Sequence, residues 1–247
     1  MTSVANDAGP RTRSHRGAQA PFLRSVAKTM RDVLLPRTPK VRRFWVGPGR
    51  GLRMVIDYRL HSAVYFGLCE RELDPHFREL VRPGYKCFDV GGHIGYHALL
   101  LAKLSGGAPV TTFEVRTQHI QEMRRNFAQN PYPIEIVQAY ISETSDATGH
   151  NLSLDDVAAR SSMPDFIKMD IEGAEVDALR GARRILAERK PGLVVEVHGM
   201  DREEGCLQIL KEHGYKPHLV DPRRSWHSEQ RGDQHNRWIV CEGRGAA

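Results

Sequence analysis

The feature that most restricts how this chain can fold is a glycine-rich turn caught between an apolar strand and an apolar helix. Cys87-Phe88-Asp89-Val90 reads as a short strand, and Asp89-Val90-Gly91-Gly92-His93-Ile94-Gly95 runs straight into the apolar stretch 96–104. Glycines in such a turn let the backbone reverse tightly and approach a ligand that any Cβ would hold off. The helix start behind the turn also offers unpaired N–H groups. Strand and helix patterns then keep alternating. Apolar strand segments at 110–113, 134–137, 165–169 and 193–197 are interleaved with helical periodicity at 118–129, 174–188 and 203–213. Two last strands are expected at 215–220 and 237–241, separated by a polar loop. This alternation predicts an α/β fold, a doubly wound and mostly parallel sheet covered on both faces.

Ahead of the sheet the pattern differs. Residues 42–59 read as a hairpin, with Phe44 and Val46 before the turn Gly47-Pro48-Gly49-Arg50-Gly51 and Met54 and Ile56 after it. Residues 22–35 carry Phe22, Val26, Val33 and Leu34 at the spacing of a short amphipathic helix, which Pro36 and Pro39 end. The expected organisation is a basic, partly disordered extension over 1–40, a hairpin or cap over 41–84, and the main domain over 85–243. Charge follows that division. Residues 1–53 hold 12 Lys and Arg against two acids, whereas the remainder holds 24 basic against 28 acidic residues. The basic front end is expected either to be solvated or to contact an anionic lipid surface, nucleic acid or an acidic polymer by salt-sensitive attraction. No apolar run approaches the roughly 18 residues of a membrane span, and residues 1–20 lack the apolar core of a secretory signal. Cys69, Cys87, Cys206 and Cys241 form no CxxC pair, which excludes the common zinc and redox patterns and points to a reduced, cytoplasmic setting.

Glu114 ends the second core strand, 19 residues after Gly95. A doubly wound sheet places a carboxylate there to accept hydrogen bonds from ribose hydroxyls. The loop lacks the G-x-G-x-x-G spacing of a dinucleotide site. Asp89, immediately before the loop, would repel a pyrophosphate but suits a cationic sulfonium. The loop therefore favours S-adenosylmethionine over NAD, with an NAD-linked oxidoreductase as the disfavoured alternative.

Several ordered motifs now bear on identity: Phe88 through Tyr96, Phe113-Glu114, Ile167 through Glu175, and Val195 through His198. With Tyr65-Phe66-Gly67 and the lead-in Val81 to Gly84, they resemble the FkbM family of methyltransferases over about residues 60–242. Residues 1–40 lie outside the resemblance. That family usually has Ala and Asn where Gly92 and His93 stand, and Pro where Val115 stands. The resemblance implies a Rossmann-like class I methyltransferase fold with an antiparallel last strand and S-adenosylmethionine as cofactor. It further implies O-methylation of a small-molecule, sugar or glycan acceptor. The alternative is a nucleic-acid-associated protein or methyltransferase using the basic front end. Against it, the core lacks basic–aromatic interleaving and an Asn-Pro-Pro-Tyr-like base-methylating motif.

The expected cofactor-binding residues are Asp89, Gly91, Gly92, Gly95, Glu114 and Asp170. Asp170 and Glu172 follow the fourth strand, and Glu196 and His198 end the fifth. Residues two apart on a strand share a face, so each pair is expected to project into one cavity beyond the carboxyl ends of the strands. An alcohol acceptor must lose a proton, and imidazole suits that task near neutral pH. His198 is therefore the expected base, with Asp170 or Glu172 next. A carboxylate–His set also has the chemistry for Mg²⁺ or Mn²⁺, but no metal is assigned. Glu175 is expected on the exposed side of its helix, and Glu172 at a helix start where the dipole favours it. His93 and His97 are expected to pack the cofactor loop. Arg223, Arg224, Trp226 and His227 either cover the acceptor pocket or form a solvated connection.

Overall fold

The computed structural model describes residues 38–221 and 236–244. The sequence-predicted helix at 22–35 and the loop residues Arg223, Arg224, Trp226 and His227 lie outside the described residues. Seven strands form the main sheet: β3 (Cys87–Val90), β4 (Val110–Phe113), β5 (Ile134–Val137), β8 (Phe166–Met169), β9 (Gly192–His198), β10 (His218–Val220) and β11 (Asn236–Cys241). Their spatial order is β10-β11-β9-β8-β3-β4-β5. The pairs from β9 through β5 are parallel, while β11 runs antiparallel to both β9 and β10. The fold is thus Rossmann-like with an antiparallel last strand.

Strands β3, β4 and β8 are buried at every position, which explains their continuous rather than alternating apolar character. One face packs on α5 (Leu154–Arg160), α6 (Glu175–Arg180) and α7 (Met200–Glu212) through Phe88, Val90, Ile167, Met169, Ala178, Leu179 and Leu210. The other packs on α3 (Tyr96–Leu104) and on the N-terminal elements through Cys87, Val110, Phe166, Leu99 and Phe77. α4 (Thr117–Phe127) follows β4 and buries Ile120 and Met123.

The N-terminal elements are a hairpin of β1 (Lys40–Arg43) and β2 (Arg53–Ile56), then α1 (Tyr58–Tyr65) and α2 (Asp74–Leu80). Asn126 of α4 fastens the hairpin, accepting the Val55 N–H at 2.8 Å and donating to the Ile94 carbonyl at 2.8 Å. The continuous helix expected over 174–188 is broken. α6 ends at Arg180, and a separate π turn spans Ile185–Arg189. The cause is a contact distant in sequence: the Asp155 carboxylate accepts the N–H groups of Arg184 and Ile185 at 2.8 and 3.0 Å, starting a new turn there. No helix among the described residues is long and apolar enough to cross a membrane.

Candidate active site

The cofactor loop is shaped first by the protein's own backbone. Gly91 has φ +88°, and a Cβ there would stand 1.8 Å from the Asp170 carbonyl oxygen. A Cβ on Gly92 would stand 2.2 Å from Thr112 Oγ1. The loop is therefore wedged between the ends of β8 and β4, and only glycine fits. Gly95 serves packing instead, because its missing side chain leaves room for the Phe127 ring of α4. His93 adopts a left-handed conformation with φ 48°, a region that few residues other than Gly, Asn, Asp and His adopt. The loop in turn fixes Glu114: Oε2 accepts the His93 N–H at 3.0 Å, and Oε1 accepts the Val115 and Arg116 N–H groups at 2.9 Å. His119 Nδ1 lies 3.4 Å from Oε2, with its ring edge-on to His93 at 4.3 Å between centroids.

Beneath the loop lies a buried charge network. Parallel register sets Asp89 opposite Thr112 on one neighbour and Lys168 on the other. Thr112 Oγ1 donates to Asp89 Oδ2 at 3.1 Å, and Lys168 Nζ lies 3.9 Å from Asp89 Oδ1. Lys168 Nζ also lies 3.5 Å from both the Gly91 carbonyl and Asp170 Oδ2. Burial works against the Lys168 charge, but Asp170, Asp89, Glu70 and Glu196 outweigh it, holding the ammonium well above its ordinary range. Burial opposes the Asp170 charge as well, and the Lys168 cation more than offsets that, keeping Asp170 ionised. Burial pushes Asp89 upward, with Lys168 opposing. Glu70, reaching in from the N-terminal elements, pairs with His97 Nε2 at 3.2 Å.

His198 sits at the end of β9, held from behind. Its Nδ1 is 2.7 Å from Glu175 Oε1, which also accepts the Gly173 N–H at 2.8 Å. Because a carboxylate oxygen accepts, Nδ1 carries the hydrogen and Nε2 presents a free lone pair. Nε2 lies 3.8 Å from Glu196 Oε1 and 3.9 Å from Asp170 Oδ1. Burial opposes the imidazolium, but the Glu175 hydrogen bond and the three carboxylates outweigh it, raising the His198 pKa above its ordinary 6.5. Burial and the Asp170 charge push Glu196 up to about 8. Asp170, Glu196 and His198 each offer one ligand atom within 4.8 Å of the others, so they have the spacing to hold a cation.

A cavity of about 570 Å³ joins these parts, a size suited to a small-molecule ligand. Gly91, Gly92, His93, Glu114 and Tyr140 line it together with Lys168, Asp170, Glu172, Leu60, Val64 and Glu70, while Glu196 and His198 stand behind Asp170 and are not among its lining residues.

A family model described as the methyltransferase FkbM domain matches residues 89–217. The chain belongs to the FkbM methyltransferase family. Its methyl donor is S-adenosylmethionine, and the cradle fits that donor: cavity size, glycines that admit backbone contact, and an oriented carboxylate at the ribose position. Two solved structures share the fold. The putative transferase PH0793 from Pyrococcus horikoshii has a TM-score of 0.54 at 16% identity over 90% of this chain and 83% of that chain. M. jannaschii TYW2, in complex with AdoMet, has 0.53 at 12% over 84% and 86%. The methyltransferase FkbM from Methylobacillus flagellatus KT is 22% identical over 76% of this chain and 56% of that chain, with a TM-score of 0.49. No curated protein matches the chain.

Within this FkbM methyltransferase, Gly91, Gly92, Glu114, Asp170 and Glu172 line the cavity. Gly95 packs on α4, and Asp89 is fully buried behind the loop against Thr112 and Lys168. Asp170 and Glu172 both reach the cavity, as expected, but not as neighbours on one strand face. The strand ends at Met169, and Glu172 turns away with φ 49° into an exposed position. Asp170 instead meets Glu196 and His198. His93 and His97 also part, His93 toward His119 and His97 toward Glu70. Glu175 overturns its expectation outright: it is fully buried and bonded to His198. Two residues of the site, Lys168 and Glu70, carried no assignment from sequence. Lys168 did leave a signal, a charge inside an otherwise apolar strand; Glu70, on a distant loop, left none.

Proposed function

We propose that this FkbM methyltransferase methylates a hydroxyl group on a small molecule, sugar or glycan, with His198 as the general base. The observation that carries this reading is the 2.7 Å contact between Glu175 and His198 Nδ1, which turns Nε2 toward Asp170, itself a lining residue of the cavity, at 3.9 Å. S-Adenosylmethionine supplies an electrophilic methyl group on a sulfonium. In this reading Glu114 accepts hydrogen bonds from the ribose hydroxyls, and the Gly91–Gly92 backbone lies against the nucleoside. Asp170 faces the cationic end of the cofactor, its own charge maintained by Lys168. Asp89 acts one step back, balancing Lys168. The acceptor hydroxyl would give its proton to His198 Nε2 as its oxygen takes the methyl group, whose bond to sulfur breaks with the electron pair remaining on a neutral thioether, S-adenosylhomocysteine. The resulting imidazolium is stabilised by Glu175 and Asp170. Positioning supplies much of the rate, because displacement requires acceptor oxygen, carbon and sulfur in line. The four free cysteines, three of them buried, support a reduced cytoplasmic setting. A methyl-acceptor screen with the wild type and His198→Ala tests the proposal. Hydroxyl-bearing acceptors should be methylated by the wild type alone, and methylation confined to nitrogen or carbon acceptors would refute it.

A further inference from the structure

Exposed apolar side chains are concentrated on one part of the molecule. Val41, Trp45, Val46, Leu60, Phe66 and Leu68 are all 46–75% exposed, and among the described residues only Tyr140 and Met200 join them elsewhere. Isolated exposed apolar residues are ordinary, whereas a cluster marks a contact surface. The backbone brings these residues together. Phe44 turns inward, 1% exposed, onto Tyr65 and Tyr96. The alternation that buries Phe44 sends Trp45 outward. The close approach of Gly47 and Gly67, where a Cβ on either would stand 2.9 Å from the other's Cα, sets Val46 beside Phe66 and Leu68. Lys103 of α3 anchors the turn, donating to the Pro48 and Arg50 carbonyls at 3.0 and 2.7 Å.

The same surface is basic. Residues 38–60 contain six Lys and Arg against the single acid Asp57. The Arg43 guanidinium lies over the Trp45 ring at 5.3 Å, and Arg42 over Tyr58 at 4.3 Å. Aliphatic and aromatic groups that can enter an interface, ringed by cations that stay at headgroup level, are the combination an anionic bilayer binds. A nucleic acid would use the arginines and Trp45 but gains little from Val41, Val46 and Leu68. We propose that the N-terminal hairpin and the start of the following loop form a docking surface for anionic lipid bilayer, with Trp45, Val46 and Leu68 entering the interface and Arg43 and Arg50 meeting the headgroups. Leu60 stands on the rim of the active-site cavity, so docking sets the catalytic opening near the membrane. The inference is independent of the base assignment.

The test is co-sedimentation of the full chain with phosphatidylcholine vesicles with and without about one-third phosphatidylglycerol. Binding is expected only to the anionic vesicles and is expected to weaken as salt is raised. The triple variant W45S/V46S/L68S and the charge variant R43E/R50E should each lose about tenfold or more in affinity. Each should keep the wild-type thermal shift with S-adenosylhomocysteine, which separates lost docking from lost folding. Equal binding to neutral and anionic vesicles, no binding to either, or unchanged binding by the triple variant overturns the proposal. So does RNA that displaces the protein from vesicles while binding the triple variant as well as the wild type, or a dimer that dissociates when Trp45 is replaced.

Discussion

The two parts of the site, the glycine loop with Glu114 and the charge cluster around Asp170, are positioned by different physics. At the Gly91–Glu114 end, geometry is set by backbone: glycines wedged between strand ends, and a carboxylate oriented by three main-chain N–H groups. At the Asp170–His198 end, geometry is set by charge: Lys168, Asp170, Glu196, Glu175 and His198 hold one another with side chains. Backbone-built sites are rigid and little affected by pH. Charge-built sites titrate, and one substitution changes the protonation of its neighbours. The first suits binding a constant cofactor, and the second suits moving a proton.

The sharpest way to break that contrast is to remove the base. His198→Ala should lower kcat by about 10²–10⁴-fold while leaving the affinity for S-adenosylhomocysteine within about twofold, because His198 touches none of the loop residues. Single-turnover methylation and calorimetry check the two halves separately. Near-native turnover in both His198→Ala and Asp170→Ala would end the assignment.

Glu114→Ala should do the opposite. Losing a charged acceptor for the ribose should weaken cofactor binding by about 10–100-fold, with kcat at saturating cofactor changed far less. Equilibrium dialysis beside saturation kinetics would show it. A Glu114 variant that lost kcat but bound cofactor normally would mean that the two ends are not divided as described.

How far each end was legible in the sequence follows from the same contrast. Strands 87–90 and 110–113, the loop and Glu114 are all local, with contacts written into adjacent residues and fixed spacings. The charge network is made across strands and helices, so only its fragments were legible. Glu196 and His198 share a face because β9 continues through both, although neither is among the residues that line the cavity. Asp170 and Glu172 both reach the cavity, but for another reason than the one expected, because β8 stops at Met169 and the two-residue period has no meaning beyond a strand's end. Glu175 was misplaced although a signal existed. With Ala178, Leu179 and Ala182 it falls on one helical stripe, all of it buried. An acid on the buried stripe of a helix needs a partner, and here that partner is His198. The main sheet was legible, since continuous apolar strands are a property of composition at each position, whereas the short helices Tyr58–Tyr65, Asp74–Leu80 and Leu154–Arg160 were not expected. The break between α6 and the π turn depended on Asp155, about 30 residues away.

Glu175→Gln sharpens the comparison within the charge-built end. Glutamine can still accept from Nδ1 but removes the charge that raises the His198 pKa. The base must be neutral to take a proton, so kcat/KM rises with pH through the His198 pKa, which lies above 6.5 in the wild type. Removing the carboxylate lowers that pKa, and the acidic limb of the profile should move to lower pH. The plateau should fall by about tenfold, since a weaker base with a less stabilised imidazolium transfers the proton less well. A pH–rate series on both proteins reads both effects. A lowered plateau with an unmoved limb would reduce Glu175 to a packing role.

The smallest expected effect concerns the same residues under a chelator. Asp170, Glu196 and His198 have the spacing to hold a divalent cation, yet the cluster already carries a cation of its own. Lys168 Nζ lies 3.5 Å from Asp170 and 3.9 Å from Asp89, fully buried and firmly protonated. Glu196 meanwhile has its pKa raised by burial and by the Asp170 charge, which weakens it as a ligand for a hard divalent ion. We therefore propose that Lys168 provides the fixed positive charge of this end and that methyl transfer proceeds at an unchanged rate in excess EDTA. Lys168→Met should then lower activity in a manner that added Mg²⁺ or Mn²⁺ does not restore. Loss of activity in EDTA, restored by either ion in the wild type, would reassign the three residues as its ligands and make Lys168 a counter-charge to Asp89 alone.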